Sequence, residues 1–86
     1  MRKKVKFMAD VKFQIVKKIG VLSENRYGVT KGWKKELNIV SWMDESPKYD
    51  IRSWSPDHTN KGKGITLTRE EAEELYELLG REFSKR

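Results

Sequence analysis

The 86-residue chain contains no cysteine, a single histidine, and no apolar run approaching the roughly 18 residues of a membrane helix. Without cysteine, neither a disulfide framework nor a thiolate metal site can form. His58 is flanked by Asp57 and Thr59, which do not make a nucleophile, a base and an orienting group. The sequence therefore predicts a protein that is not an enzyme, has no cofactor or metal, and does not enter a membrane. We expect His58 on the surface.

Apolar residues are also scarce, because 36% of the chain is hydrophobic and 37% is charged. A chain of this length forms one domain near the size at which a single core is only just sufficient. Large apolar side chains on a second face would then need a partner. This composition favours a homodimer.

Positive charge is concentrated in one part of the chain. Residues 1–67 hold 15 Lys and Arg against 7 Asp and Glu, whereas residues 68–86 hold 4 against 6. This asymmetry indicates a polyanion-binding face, although a charged face without a partner is the alternative. Residues 1–7 are predicted to be a disordered basic arm, and residues 8–86 one domain that carries this polyanion-binding face. No apolar signal follows the arm, so we expect an intracellular, cytoplasmic protein.

Alternating apolar and polar residues predict strands over residues 11–24, 33–43, 48–54 and 64–67, with a bulge at Gly20. The turn at residues 44–47 is too short for a parallel return, so the second and third strands form an antiparallel hairpin. Residues 55–63 read as a flexible loop. Thr68 and Glu71 form a capping box, and a stripe of apolar residues at helical spacing follows. We predict an α+β fold: a curved four-stranded antiparallel sheet followed by one C-terminal helix (β-β-β-β-α).

Three tryptophans and four cations fall within the second and third predicted strands. Indole faces stack on bases while Lys and Arg neutralise phosphates, so this combination favours sequence-tolerant binding of a single strand. A tryptophan-rich core is the alternative, and it is favoured for Trp42, whose alternation matches Val40. Trp54 is the strongest stacking candidate, on a face that it shares with Arg52 beside Trp33 and Lys35. The predicted nucleic-acid-binding residues are Trp33, Lys34, Lys35, Lys48, Arg52, Trp54, Lys61 and Lys63.

Several ordered segments resemble the positive cofactor four family of transcriptional coactivators, in particular its bacterial YdbC-type branch. They are residues 32–38, 40–42, 50–58 and 63–67, the last followed by the capped helix. The resemblance covers residues 8–86. It implies a homodimer that binds single-stranded DNA across its strands with little sequence preference, and it assigns a nucleic-acid role to Arg52 and Lys63. The acidic hairpin tip at residues 44–47 differs from the eukaryotic members, so contacts at that tip are not carried over.

Two questions stay open at this level. RNA is an alternative ligand, and proteins of transcription or replication are candidate partners. A protein-interaction module that uses an exposed aromatic sheet face is the alternative function.

Overall fold

The computed structural model describes residues 11–85 and contains one four-stranded antiparallel sheet followed by a helix. The strands pair in chain order. Their bounds are Phe13–Glu24 (β1), Lys34–Trp42 (β2), Lys48–Trp54 (β3) and Lys61–Leu67 (β4), and the helix α1 spans Arg69–Phe83. The predicted α+β fold and element order are confirmed. The predicted basic arm, residues 1–7, lies outside the described residues.

Strand β1 is irregular along much of its length. Its register against β2 shifts between Ile15 and Lys17, between Lys18 and Gly20, and between Val21 and Ser23. Each such irregularity bends a strand and increases its local twist. The bulge expected near Gly20 is therefore one of three.

Strand β4 begins three residues earlier than the sequence predicted. Lys61 pairs with Trp54, and Gly64 pairs with Arg52, so Lys61 and Lys63 belong to the sheet. The prediction of a mobile loop carrying both lysines is wrong. Alternating lysine and glycine has low intrinsic strand propensity, but pairing with β3 outweighs it.

Helix α1 starts at the predicted capping box. The Glu71 backbone N–H donates to Thr68 Oγ1 at 3.1 Å, and the Thr68 backbone N–H donates to Glu71 Oε1 at 2.9 Å. Two of the N–H groups that a helix N-terminus leaves unpaired are thereby satisfied. The cap fixes where the chain leaves β4 and becomes helical.

The two sides of the sheet differ in what they bury. One side, here the Trp54 face, carries the buried side chains of β2 and β3: Glu36, Asn38, Val40, Asp50, Arg52 and Trp54. The opposite side, the helix face, carries Leu37, Tyr49, Ile51 and Leu67, which line a groove together with α1. Most of the buried residues on the Trp54 face are polar, so hydrogen bonds as well as apolar contacts must hold it together.

The helix face is only partly covered. No described residue of α1 is buried, and Leu75, Leu79 and Phe83 are exposed although they lie on its apolar stripe. Exposed apolar side chains at helical spacing are typical of a surface that meets another molecule. Within residues 11–85, no helix is long and apolar enough to cross a membrane.

Gly64 is the position of closest approach between β3 and β4. A Cβ atom there would overlap the carbonyl oxygen of Ile51 and the Cβ of Arg52. We predict that Gly64→Ala lowers the free energy of unfolding by about 2 kcal/mol, because overpacking forces the strands apart. Chemical denaturation measures this change. Gly20→Ala is the matched control, since nothing lies within 4 Å of the Cβ that it would add, and it should change stability by less than about 0.5 kcal/mol. Equal stability of both variants would contradict the prediction.

Candidate nucleic-acid interface

An ion pair lies at the centre of the Trp54 face. Arg52 Nε donates to Asp50 Oδ1 at 2.7 Å, and Arg52 Nη2 donates to Asp50 Oδ2 at 2.8 Å. Trp42 Nε1 donates to the same Asp50 oxygen at 3.2 Å, and Arg52 Nη1 donates to the Gly62 carbonyl at 3.3 Å. The guanidinium also lies 4.6 Å from the centroid of the Trp42 ring. Arg52 is therefore held by bidentate, charge-assisted and cation–π contacts at once.

Aromatic rings pack beside this ion pair. The Trp54 ring centroid lies 5.2 Å from that of Phe13, 6.3 Å from that of Trp42 and 5.6 Å from that of His58. Lys61 Nζ lies 4.4 Å from the Phe13 centroid. These contacts come from all four strands and from the loop after β3, so they join β1 to the middle of the sheet.

This packing leaves little of three predicted contact residues accessible. Trp54 is 0% exposed, Arg52 6% and Lys61 7%. Their role in nucleic-acid binding stays a prediction. The expectation that they lie on an open, cationic surface is wrong. Arg52 faces a carboxylate, and the Trp54 indole is surrounded by other rings. Trp42 is half-buried in the same layer, which agrees with its expected core position.

The strand register also separates residues that the sequence placed side by side. Lys34 is opposite Trp54, and Lys35 is opposite Ser53. Directly opposed residues share a face, so Lys34 accompanies Trp54, whereas Lys35 lies on the other side of the sheet. The expectation that Trp33 and Lys35 flank Trp54 is therefore wrong, because it assigned faces within each strand without the pairing between strands.

Three of the predicted residues do come together on the helix-face side. Trp33, Lys35 and Lys63 line one cleft of about 520 Å³, here the basic–aromatic cleft, with Asn25, Thr30 and Ser53. Trp33 is half-buried, and both lysines are exposed. Glu24 also lines the cleft. An indole, two ammonium groups, one carboxylate and several side-chain hydrogen-bond donors thus share one concave surface.

The loop from β1 to β2 shapes the rim of this cleft. The Asn25 backbone N–H donates to the Trp33 carbonyl at 2.8 Å, and the Gly32 N–H donates to the Asn25 carbonyl at 2.7 Å. Asn25 Nδ2 donates to Thr30 Oγ1 at 2.5 Å. Gly28 and Gly32 adopt φ values of 78° and 91°, which side-chain-bearing residues rarely adopt. The loop is thereby held in one conformation, and it positions Trp33.

The remaining predicted residues lie elsewhere. Lys34 lines a different cavity, which also borders Trp54. Lys48 lies near the hairpin end, in a shallow cleft of about 260 Å³ that Trp42 and Arg52 also border. The single aromatic and basic cluster expected from the sequence is therefore divided among three surfaces.

A polar cluster that sequence reasoning missed connects β2 to the loop after β3. His58 Nε2 lies 3.0 Å from both Glu36 carboxylate oxygens, and Asn38 Nδ2 donates to Glu36 Oε1 at 3.0 Å. Burial raises the pKa of Glu36, but hydrogen bonds from Asn38 and His58, with the charges of His58 and Lys18, outweigh it. The pKa of Glu36 therefore lies below its ordinary value.

His58 is consequently half-buried and paired, and not the free surface residue that we expected. It adopts φ of 61°, an uncommon value for histidine. Glu36 and His58 are 22 residues apart, so no local pattern could have paired them.

Next to His58, Asp57 Oδ1 accepts from the backbone and hydroxyl of Thr59 and from the Ser55 hydroxyl, which lowers the pKa of Asp57 to about 2. These bonds order the loop that carries His58.

The burial of Trp54 yields a direct prediction. Trp54→Ala should lower the free energy of unfolding by about 3–5 kcal/mol, because the large cavity left behind removes ring contacts to β1, β2 and the 55–60 loop. Denaturant unfolding followed by circular dichroism measures the loss. Trp33→Ala, which truncates a half-buried indole, should be much less destabilising. Wild-type stability of Trp54→Ala combined with lost nucleic-acid affinity would contradict the structural role.

Comparisons with known proteins assign the chain to a family. Residues 29–78 match the model of the family described as Transcriptional Coactivator p15 (PC4). The chain is also 43% identical over 70 residues to an uncharacterized protein of Treponema pallidum (strain Nichols), across 81% of this chain and 78% of that relative. The family match runs from the β1–β2 loop into α1, so it includes most of the basic–aromatic cleft and the buried ion pair. The chain belongs to the Transcriptional Coactivator p15 (PC4) family.

Proposed function

We propose that the protein binds single-stranded DNA with little sequence preference, and that the basic–aromatic cleft is its main contact surface. Membership of the family supports nucleic-acid binding and a coactivator-type function in general. The cleft adds the chemistry. Its Trp33 indole can stack on a base, and Lys35 and Lys63 can pair with the flanking phosphates.

The convergence of Trp33, Lys35 and Lys63 from separate parts of the sheet is the observation that carries this proposal. Trp33 precedes β2, Lys35 lies in β2, and Lys63 lies in β4. Neither lysine has a carboxylate partner among the ion pairs of the described residues. Their charge is thus available to a ligand, in contrast to that of Arg52.

A single strand suits this surface better than a duplex. Stacking requires an unpaired base with an open face, and every base offers one, so the contact is tolerant of sequence. The described helix carries Glu70, Glu73, Glu74 and Glu77 and does not offer a basic face for the major groove. RNA presents the same phosphates and base faces and is a second ligand to test. We propose a non-enzymatic, cytoplasmic role in transcription, replication or repair.

The same proposal includes a homodimer. The groove between α1 and the helix face has a volume of about 420 Å³, and its lining includes Leu37, Ile51, Leu75 and Leu79. A second copy of α1, whose apolar stripe is equally uncovered, would match it in polarity. The chain is small and holds little other buried apolar surface in its described part, so dimerisation would supply core that the monomer lacks.

The alternative of a protein-interaction module relied on an exposed aromatic sheet face. On the Trp54 face, Trp42 and Trp54 pack against each other, against Phe13 and, for Trp54, against His58. That arrangement offers no open row of aromatic rings to a protein partner. Nucleic-acid binding is the function that the described surface supports better.

Stacking on Trp33 is testable by truncation. Trp33→Ala should weaken binding of a fluorescent oligo-dT by about 1–3 kcal/mol, the free energy of one stacked base. Fluorescence anisotropy at fixed salt measures the change. Met43→Ala removes an exposed apolar side chain at the hairpin tip, outside both the cleft and the helix groove, and is the control.

The salt dependence gives a further check on the same variant. The logarithm of the binding constant should fall with the logarithm of salt at a slope of about −0.7 per neutralised phosphate. Trp33→Ala removes a ring and no charge, so its slope should equal that of the wild type. Unchanged affinity of Trp33→Ala, or equally tight binding to a duplex of the same length, would contradict the proposed mode.

Dimerisation is testable through the groove. Sedimentation equilibrium of the wild-type chain should give about twice its mass of 10.2 kDa, and Leu79→Glu should shift it to the monomer because a charge cannot be buried unpaired in an apolar interface. Leu78→Glu introduces the same change at an exposed position that does not line the groove. A wild-type monomer at high micromolar concentration would contradict the dimer.

A further inference from the structure

A second cavity lies on the other side of the sheet end that carries the basic–aromatic cleft. It has a volume of about 550 Å³, and residues of β1, of β2 and of the 55–60 loop form its walls. This volume falls within the roughly 300–1,000 Å³ of small-molecule sites. We call this cavity the base pocket. Its lining includes apolar, cationic and other polar side chains: Lys18, Ile19, Lys34, Glu36, Pro56 and His58.

The base pocket contains a hydrogen-bond acceptor and a hydrogen-bond donor that are not fully paired. Glu36 is 5% exposed and accepts hydrogen bonds from Asn38 and His58, but an ionised carboxylate has about four lone-pair sites. Trp54 also lines the pocket, and its Nε1 has no hydrogen-bond partner within residues 11–85. An acceptor with spare capacity and an unpaired buried donor therefore occur at one site.

The two cavities are adjacent. Glu24 borders both of them, and Trp33 and Lys34, which are consecutive, each line one. A strand that stacks one base on Trp33 can therefore pass its next nucleotide around the end of the sheet. Lys18 and Lys34 are exposed cations that can hold the phosphate of that nucleotide.

We propose that the base pocket takes one unstacked nucleobase of a bound single strand, and that it prefers the amino-bearing bases adenine, cytosine and guanine over thymine. This inference rests on the proposed function and adds a local selectivity to it. The exocyclic amine donates to Glu36, and the apolar side chains of Ile19 and Pro56 enclose the base.

The preference follows from the edges of the bases. Adenine, cytosine and guanine each project an NH₂ group, which can donate to a carboxylate. Thymine has one ring N–H between two carbonyl oxygens, and those oxygens are repelled by the carboxylate. His58 is only 24% exposed in its pairing with Glu36, so it narrows the pocket beside the same carboxylate. Selection by one charged acceptor should be modest, which is compatible with sequence-tolerant binding along the rest of the strand.

A set of oligonucleotides that differ at one atom group tests the pocket. The strands are oligo-dT, the same strand with one central dC, and the same strand with a central 2-pyrimidinone deoxynucleotide, which is dC without its amine. Anisotropy titrations of the full-length wild-type chain should show at least roughly 10-fold tighter binding of the dC strand than of the other two, as expected of one hydrogen bond to a charged group. Single dA and dG substitutions should also tighten binding.

Glu36→Gln should bind the dC and dT strands with equal affinity, because the amide can donate to thymine as well as accept from cytosine. Glu45→Gln removes the same charge at the exposed hairpin tip and should keep the tighter binding of the dC strand. If Glu36→Gln does not fold, the comparison of dC with 2-pyrimidinone on the wild type decides alone.

The outcomes separate this inference from the proposed function. Equal affinities for all strands would overturn the base pocket while leaving single-strand binding intact. If Glu36→Gln still binds the dC strand more tightly than the dT strand, the role of Glu36 is overturned. If the wild type binds the 2-pyrimidinone strand as tightly as the dC strand, the role of the amine is overturned. Absence of binding to every strand would overturn the proposed function itself.

Discussion

The ion pair between Asp50 and Arg52 is the interaction on which the sheet depends. Both side chains are buried, and two hydrogen bonds join them. Asp50 also accepts from the Trp42 indole N–H, and Arg52 also donates to the Gly62 carbonyl. Removing one partner would leave a buried charge, which typically costs about 3–5 kcal/mol. Strands β2, β3 and β4 all contribute to this network, so the order of the Trp54 face follows from it.

The location of the free positive charge follows from the same ion pair. Because Asp50 neutralises Arg52, the proposed polyanion ligand would find its counter-charges elsewhere, and the exposed Lys35 and Lys63 beside Trp33 would provide them. The Trp54 face then serves as the rigid support of the site. Its tilted and stacked rings hold β1 and the 55–60 loop in place, and those elements form walls of the base pocket.

Much of the fold was predictable because it depends on local patterns. Alternation predicted the strands, and Thr68 with Glu71 predicted the helix start. Which site residues lie together was harder to predict from the sequence. Whether Lys35 lies beside Trp54 or beside Ser53 depends on the register between β2 and β3, and the pairing of Glu36 with His58 depends on a contact across 22 residues. Lys61 was assigned to a loop because Gly62 and Gly64 lower the strand propensity of this segment. Its pairing with Trp54 appears only in the tertiary structure.

The central claim is that a single strand contacts the basic–aromatic cleft while the Asp50–Arg52 network stays intact. Amide NMR spectra recorded during titration with oligo-dT test it most directly. We expect the largest shift changes at Trp33, Lys35, Ser53 and Lys63, and little change at Trp42, Asp50 and Arg52. The opposite pattern, with the largest changes at Asp50 and Arg52, would show that the ligand binds over the ion pair and would contradict the claim.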